Sequence, residues 1–275
     1  MTTTMTTMTD LEPNAARFDG LAGVYDASRP SPPPVLVDVL CRYAGVERPD
    51  MVVDLGSGTG LATRLWIGRA ATIIGVEPNE GMRHRAEEAV AAIPGGGDVI
   101  FRNGYADETG LRAGCADIVT CSQCLHWMEP QPTFAEVARI LREGGVFAAV
   151  DADMTPSFGG PAEAAFMSLR HRSRAMEEKL RLTDVKRWDK AGHLGRMAAS
   201  GQFRFTRQVM MHHVEPGDGR RLLGLAYSFG GVATMLAHGV AEADFGLDVL
   251  RREIAAMGEE VVPFHWSYTV RLGVK

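Results

Sequence analysis

Short apolar runs and amphipathic segments alternate along the first 150 residues of the chain. Segments with apolar side chains at helical spacing cover 79–92 and 130–141. The mainly apolar runs between such segments lie at 51–55, 71–76, 116–121 and 146–150. Strands of a parallel sheet are buried on both faces, whereas the helices that connect them bury only one. The pattern therefore predicts an α/β domain with a doubly wound, mostly parallel sheet.

The second half of the chain is organised differently. From 154 to 202 the alternation of strands and helices lapses, which predicts an insertion. Alternating apolar and polar residues then predict strands at 203–210 and 261–274, with helices at 220–237 and 243–257 between them. The chain thus divides into a core, an inserted segment and a return to the core.

Composition excludes several classes of protein. The net charge is −5 and the isoelectric point about 5.9, so no general basic field attracts nucleic acid or an anionic membrane. No apolar run is long enough to span a bilayer, and the four cysteines form no disulfide framework. Residues 1–12, rich in Met and Thr, resemble neither a secretory signal nor a transit peptide. We expect a disordered tail at 1–12 and a cytoplasmic protein.

A glycine-rich turn follows the first strand and is the most informative stretch of the chain. Asp54 lies near the end of the apolar run, and Gly56, Gly58 and Gly60 follow at alternate positions. Glycine tolerates positive φ angles and lets a ligand approach the backbone, so the turn predicts a nucleotide-like ligand. We expect a helix over 61–69 to point its first N–H groups at the same crevice.

Two nucleotide-binding patterns compete for this turn. A dinucleotide fingerprint, G-x-G-x-x-G, has its last glycine where this sequence has Leu61. The acid at Glu77, about 20 residues after the first glycine, fits either pattern, because a carboxylate can accept both ribose hydroxyls. The glycine spacing therefore argues against the dinucleotide fingerprint, whereas Glu77 is compatible with it.

In order and spacing, these elements resemble the class I S-adenosylmethionine-dependent methyltransferases over residues 18–153. The matching features are the Asp-Leu-Gly-x-Gly-x-Gly turn, the acid at Glu77, the stretch 101–108, and the strand that leads to His126 and Trp127. The chain is also similar to small-molecule enzymes of the trans-aconitate methyltransferase-like group. The resemblance implies a Rossmann-like, seven-stranded, mostly parallel sheet with an antiparallel last strand, and a helical cap inserted before strand six.

The resemblance also implies S-adenosylmethionine as the cofactor and indicates how the chain holds it. The glycine turn wraps the amino-acid end, with Asp54 close to the ammonium group, and Glu77 accepts the ribose hydroxyls. The backbone of Ala106 and the side chain of Asp107 recognise the adenine edge. The expected cofactor-binding residues are Arg29, Asp54, Gly56, Ser57, Gly58, Gly60, Glu77, Pro78, Ala106, Asp107 and Ser122.

An amino-terminal segment resembles the lid of those small-molecule enzymes. The residues from Tyr25 to Pro30 match their Tyr-x-x-x-Arg-Pro pattern. A lid would exclude water from the reacting sulfonium, and the alternative is a surface helix that packs through its aromatic residues. The expected divisions are a lid at 13–45, a cofactor-binding core at 46–153, a helical cap at 154–202 and the remaining core with cap helices at 203–275.

Three residues are candidates for the acceptor side of the reaction: His126, Tyr25 and Asp151. His126 follows strand four and Asp151 follows strand five, where an open α/β sheet forms its ligand crevice. His126 would act as a base or orient the acceptor, and the alternative is a structural histidine. The sulfonium methyl group is already electrophilic, so alignment is the main requirement, and neither a metal nor a covalent nucleophile is needed.

Other functions stay open at this point. An RNA or protein methyltransferase would use the eight Lys and Arg residues of 169–190, although interleaved acids favour a solvated helix face. An NAD-dependent oxidoreductase would need a further glycine and a catalytic Tyr-Lys pair, and neither is visible. Cys121 and Cys124 lack a second ligand pair, so we expect them to be buried small residues. The sequence thus favours a small-molecule methyltransferase of secondary metabolism, as a monomer or homodimer, that methylates oxygen, nitrogen or carbon.

Overall fold

The structure is a computed structural model that describes residues 14, 22–180 and 185–275. The tail expected at 1–12 lies outside these residues, as does the start of the lid segment except for Asn14.

Seven strands of the described chain form one sheet. They are β1 (Met51–Leu55), β2 (Thr72–Val76), β3 (Val99–Arg102), β4 (Ala116–Ser122), β5 (Leu141–Ala152), β6 (Phe205–Gly217) and β7 (Val262–Val274). Their spatial order is β3-β2-β1-β4-β5-β7-β6. Strands β1 to β5 run parallel, and β7 is antiparallel to both of its neighbours, β5 and β6. This confirms the seven-stranded, mostly parallel sheet with an antiparallel last strand.

Helices cover both faces of the sheet. They are α1 (Ala22–Ser28), α2 (Val35–Ala44), α3 (Glu80–Ala91), α4 (Pro130–Ile140), α5 (Gly160–Leu180), α6 (His193–Ala199), α7 (Gly219–Tyr227), α8 (Gly230–Ala237), α9 (Glu242–Phe245) and α10 (Leu247–Met257). None of the described helices combines the length and apolar character needed to cross a membrane.

The central strands are apolar because both of their faces are covered. Val52 and Val53 on β1 point to opposite faces, and both are completely buried. Val52 belongs to a core that includes residues of α2, α5, α7 and α10, and Val53 to a core that includes residues of α4 and α6. The sheet is therefore the middle layer of the molecule.

The carboxyl ends of the parallel strands meet at one edge of the sheet. There β1 leads into the glycine turn, β2 into Glu77, β3 into the loop 103–109 and β4 into Gln123. Open α/β sheets bind ligands at this edge, where the order of the strands reverses. Because β1 lies between β2 and β4, the fold brings these chain segments to a common place.

The segment after the glycine turn is not the helix that we expected over 61–69. It contains a short 3₁₀-helix at Thr63–Trp66. Gly60 and Gly68 adopt φ angles of +80° and +73°, and a left-handed residue interrupts an α-helix.

Two other expected helices are each divided. The helix expected at 220–237 breaks after α7, where the hydroxyl of Ser228 donates to the backbone oxygen of Leu225 at 2.7 Å and two glycines follow. The helix expected at 243–257 breaks at Gly246, whose φ is +88°. At the first break, Ser228 accepts hydrogen bonds from Arg29, the residue after α1.

Candidate functional site

A cleft with two connected parts lies at the carboxyl edge of the sheet. The larger cavity has an empty volume of about 810 Å³, its open mouth included, and the smaller one about 440 Å³. Tyr25, Gly56, Gly58, Ser122 and Gln123 line both cavities, so the two are neighbouring parts of one cleft. The combined space suits an elongated small molecule.

The three glycines of the turn have different structural roles. A Cβ atom on Gly56 would lie 2.9 Å from Cβ of Cys124, so the turn packs tightly against the loop after β4. A Cβ atom on Gly60 would lie 3.2 Å from the ring of Phe101, and Gly60 lines neither cavity. A Cβ atom on Gly58 would meet no atom of the described residues within 4 Å. Gly58 is thus the glycine that leaves open space for a ligand.

Glu77 follows β2 and lines the larger cavity. The backbone N–H groups of Gly58 and Asn79 donate to its two carboxylate oxygens, each at 2.9 Å. Burial raises the pKa of Glu77, and these two hydrogen bonds oppose the rise. Each oxygen keeps a second lone pair, so the carboxylate can hold the glycine turn and still accept from a ligand.

Asp54 lines the smaller cavity from β1. The hydroxyls of Thr63 and Thr120 donate to its two oxygens at 2.6 and 2.8 Å, and yet burial raises the pKa of Asp54 to about 6. Ser57 Oγ and Thr59 Oγ1 line the same cavity and have no hydrogen-bond partner among the described residues. The smaller cavity therefore suits a cationic, polar group of a ligand.

The larger cavity is bounded on one side by the loop after β3 and the start of α3. Ala106 is buried there, and Asp107 is half-buried. The residues on this side are Glu77, Pro78, Met82, Gly104, Tyr105, Ala106 and Asp107. The structure thus brings together the residues that the sequence predicts for ribose and adenine.

The opposite wall of the larger cavity was not predicted. It comes from the loop after β4 and the first turn of α4, through Cys124, Trp127, Met128, Glu129 and Thr133. Cys124 and Trp127 lie in stretches that the sequence analysis considered, but none of the five was predicted to line the cleft. For Glu129 the available signal is its place directly before Pro130.

Asn14 also lines the larger cavity and joins two distant segments of the chain. Its side-chain amide donates to the backbone oxygens of Trp127 and Lys186 at 2.9 Å each, and the N–H of Lys186 donates to its Oδ1 at 3.0 Å. Asn14 therefore connects the segment around Lys186 with the loop after β4.

Asp26 connects helix α1 to the core through ion pairs. Asp26 forms ion pairs with Arg64, from the segment after the glycine turn, and with Arg85 of α3. Its carboxylate is only 8% exposed, so these pairs are better shielded from water than ordinary surface pairs. The contacts hold Tyr25, one residue earlier, over the cleft.

Arg29 follows α1 and connects this helix with Ser228, the residue after α7. Its Nε and Nη2 donate to the hydroxyl and backbone oxygens of Ser228 at 2.7 Å each, and its guanidinium lies over the ring of Tyr25. Burial lowers the pKa of Arg29, and no carboxylate of the described residues forms an ion pair with it. Since Arg29 also lines the smaller cavity, it suits an anionic group of a ligand.

His126 lies beside the segment 187–190 and lines neither cavity. Its backbone oxygen accepts from the N–H of Trp188 at 2.9 Å, and its Nδ1 is buried without a hydrogen-bond partner in the described part of the chain. Burial and the nearby cations Lys190 and Arg187 hold the pKa of His126 well below its usual range. The imidazole is therefore neutral at physiological pH, and its role at the acceptor stays a prediction.

Asp151 is engaged by two cations and also lines neither cavity. Its carboxylate pairs with Arg271 at 2.8 Å and with Lys190 at 2.7 Å. Lys190 in turn donates to Oε1 of Gln123 at 2.7 Å, and Gln123 lines both cavities. In this structure Asp151 reaches the cleft through Lys190 and Gln123, and direct contact with the acceptor stays a prediction.

Replacing Asp151 by Asn is expected to destabilise the fold by about 2 kcal/mol, because buried Arg271 loses its charged partner. Urea unfolding measures the change. Asp153→Asn is the matched control, since the side chain of Asp153 is 65% exposed and surface ion pairs contribute little. Equal stability of the two variants would contradict the structural role of Asp151.

Residues 53–149 match a family described as a methyltransferase domain. An uncharacterized methyltransferase from Mycobacterium tuberculosis is 34% identical over 128 residues, which are 46% of this chain and 49% of that protein. A malonyl-[acyl-carrier protein] O-methyltransferase from Nitrosospira multiformis is 29% identical over 147 residues, 47% of this chain and 48% of that protein. The chain thus spans about half the length of the curated relatives that it matches.

Solved structures share the fold over most of the chain. A provisionally assigned type II methyltransferase from Anaeromyxobacter dehalogenans has a TM-score of 0.65 at 21% identity, and covers 90% of this chain and 97% of its own. The YcgJ protein from Bacillus subtilis has a TM-score of 0.52 at 18% identity, with 87% of this chain and 97% of its own covered. At these identities the similarity concerns the fold alone.

Proposed function

We propose that this chain, whose residues 53–149 match the methyltransferase-domain family, is a class I S-adenosylmethionine-dependent methyltransferase that methylates a small-molecule acceptor. The methyl group moves by in-line displacement to an oxygen, nitrogen or carbon of that acceptor. One observation carries the proposal: three features meet in one cleft. They are the buried acid Asp54, the open space beside Gly58, and the carboxylate of Glu77, which can accept from ribose hydroxyls.

The residues of the cleft fit the successive parts of S-adenosylmethionine. In the smaller cavity, Asp54 suits the ammonium group and Arg29 suits the carboxylate of the amino-acid end. In the larger cavity, Glu77 suits the ribose hydroxyls, and Ala106 with Asp107 suits the adenine edge. The two cavities adjoin, so one molecule can occupy both.

The bound donor supplies an electrophilic methyl group, and the protein's task is alignment and the exclusion of water. Tyr25 lies where the two cavities adjoin, and the lid contacts of Asp26 and Arg29 keep it there. On the acceptor side we assign His126, whose neutral imidazole orients the acceptor or takes its proton. Burial and the cations Lys190 and Arg187 lower its pKa and so weaken it as a base, which favours the orienting role. We assign Asp151 a supporting role through Lys190.

The charges of the cap support a small-molecule acceptor over RNA. In α5, Arg170 pairs with Asp153 and Arg174 with Glu178, so these cations are balanced within the chain. Arg181 lies outside the described residues. A balanced surface attracts polyanions weakly. We place the reaction in secondary metabolism and in the cytoplasm.

Calorimetric titration of the purified protein with S-adenosylmethionine, and separately with NAD, tests the proposal. We expect a dissociation constant in the micromolar range for S-adenosylmethionine and no binding of NAD. Release of S-adenosylhomocysteine in the presence of phenols, amines and carboxylic acids then identifies the acceptor class. Absence of S-adenosylmethionine binding, or tighter binding of NAD, would overturn the function and leave only the fold.

Gly58→Ala is expected to weaken S-adenosylmethionine binding by about tenfold or more, because the new methyl group enters space that the ligand needs. The φ of Gly58 is +56°, so the variant also loses about 1 kcal/mol of stability to backbone strain. Gly68→Ala is the matched control: its φ is +73°, its Cβ also meets no atom within 4 Å, and it lines neither cavity. Calorimetry should show lost affinity only at Gly58, and equal affinities would remove Gly58 from the site.

A further inference from the structure

One wall of the larger cavity carries a carboxylate that the proposed function does not use. Glu129 lines this cavity directly before α4. Its Oε2 is buried and has no hydrogen-bond partner within residues 14, 22–180 and 185–275. A buried carboxylate oxygen without a donor costs free energy, so a donor from a ligand is expected at this point.

Helix α4 places Glu129 along the loop that follows β3. Glu129, Thr133 and Glu136 are four and then three residues apart, so they lie on one face of the helix. At the far end of this face, Glu136 accepts from the backbone N–H of Thr109 at 2.9 Å. In the middle, Thr133 lines the same cavity as Glu129. The face therefore runs along the 104–109 loop, with the cavity between Glu129 and that loop.

The side chain of Glu129 is also free to serve a ligand. It occupies the cap position of α4 and makes no capping hydrogen bond to the helix. The positive end of the helix dipole favours a carboxylate at this position. Asp107 lines the same cavity and likewise makes no side-chain hydrogen bond within the described part of the chain. Two carboxylates, which can only accept, thus line one cavity.

We infer that Glu129 accepts a hydrogen bond from the exocyclic amine of the adenine, and that it selects adenine against 6-oxopurines. The inference rests on the proposed function, since it concerns how the same cleft recognises its donor. An amine carries two N–H groups, of which Asp107 takes one and Glu129 the other. A 6-oxopurine presents a carbonyl oxygen there, which two carboxylates repel.

The test is the binding of S-adenosylhomocysteine and S-inosylhomocysteine, measured by calorimetry on the full chain. Wild-type protein should prefer the adenosyl compound by about a hundredfold or more. Glu129→Ala should weaken binding of the adenosyl compound about tenfold, because a hydrogen bond to a charged group is lost. Glu129→Gln should narrow the preference at least about tenfold, because its amide N–H can donate to the purine oxygen. Glu108→Gln is the matched control, since Glu108 is exposed and lies outside both cavities.

The outcomes separate this inference from the function on which it rests. If wild-type protein binds S-adenosylhomocysteine and Glu129→Gln keeps the full preference, Glu129 does not recognise the purine and the methyltransferase function stands. If wild-type protein binds neither compound, both conclusions fail. If the role of Glu129 is merely structural, its substitution weakens the binding of both compounds equally and leaves the ratio of their affinities unchanged. That result also overturns the inference.

Discussion

Glu77→Ala should weaken S-adenosylmethionine binding by at least about a hundredfold, the largest loss of affinity that we expect from a single substitution. The carboxylate accepts the backbone N–H groups of Gly58 and Asn79 and would also accept both ribose hydroxyls. Two charge-assisted hydrogen bonds to the ligand are lost together with the support of the glycine turn. Calorimetric titration measures the change.

Glu77→Gln should not restore binding. An amide has one acceptor oxygen, and its nitrogen would face the N–H of either Gly58 or Asn79, so one of the two hydrogen bonds becomes a repulsion between donors. Glu80→Ala is the control, because Glu80 is exposed in the first turn of α3. Near-normal affinity in Glu77→Ala would exclude Glu77 as the ribose ligand.

Asp54→Asn should have opposite effects on stability and on binding. The pKa of Asp54 is raised from 3.8 to about 6, so keeping the carboxylate ionised in the folded protein costs about 3 kcal/mol of stability at neutral pH. Asparagine removes this cost and can still hydrogen-bond to the hydroxyls of Thr63 and Thr120. It also removes the partner of the ammonium group, and we expect about thirtyfold weaker binding.

The pH dependence provides the control for Asp54. Below pH 3.8 the acid is protonated in both the folded and the unfolded chain, so the variant gains nothing. As the pH rises from 3.8 to about 6, the wild-type protein becomes less stable relative to the variant. Above that range the stability advantage of the variant is constant. Urea unfolding at pH 4.5 and pH 7.5 measures it. An advantage that is equal at both pH values would contradict the ionised, buried state of Asp54.

The sequence predicted the residues that lie next to strand ends. Asp54, Glu77 and Ser122 lie at or beside the carboxyl ends of β1, β2 and β4, and strand ends can be read from apolar runs and glycines. Because parallel strands present these ends at one edge, local patterns were enough to bring the residues together. The sheet and half of the cleft were predictable for this reason.

The other half of the cleft depends on contacts between distant segments, which periodicity does not reveal. Glu129 reaches the cavity because α4 lies along the loop after β3, and Asn14 because it binds the backbone of Lys186. The position of Asp151 in the sequence predicts a place in the crevice. In the structure its carboxylate instead forms ion pairs with Arg271 of β7 and with Lys190. Such pairings depend on tertiary packing, and no local signal marks them.

The place of β7 between β5 and β6 makes the order of assembly differ from the order of synthesis. Strand β6 leaves the ribosome well before β7, but β7 is its neighbour in the sheet. Met211 of β6, buried in the finished protein, has no partner strand until then. Strands β1 to β4 pair only with one another and with β5, so all of their partner strands have been synthesised before β6 and β7. A nascent chain can therefore shape its donor-binding edge while the far side of the sheet is still unpaired.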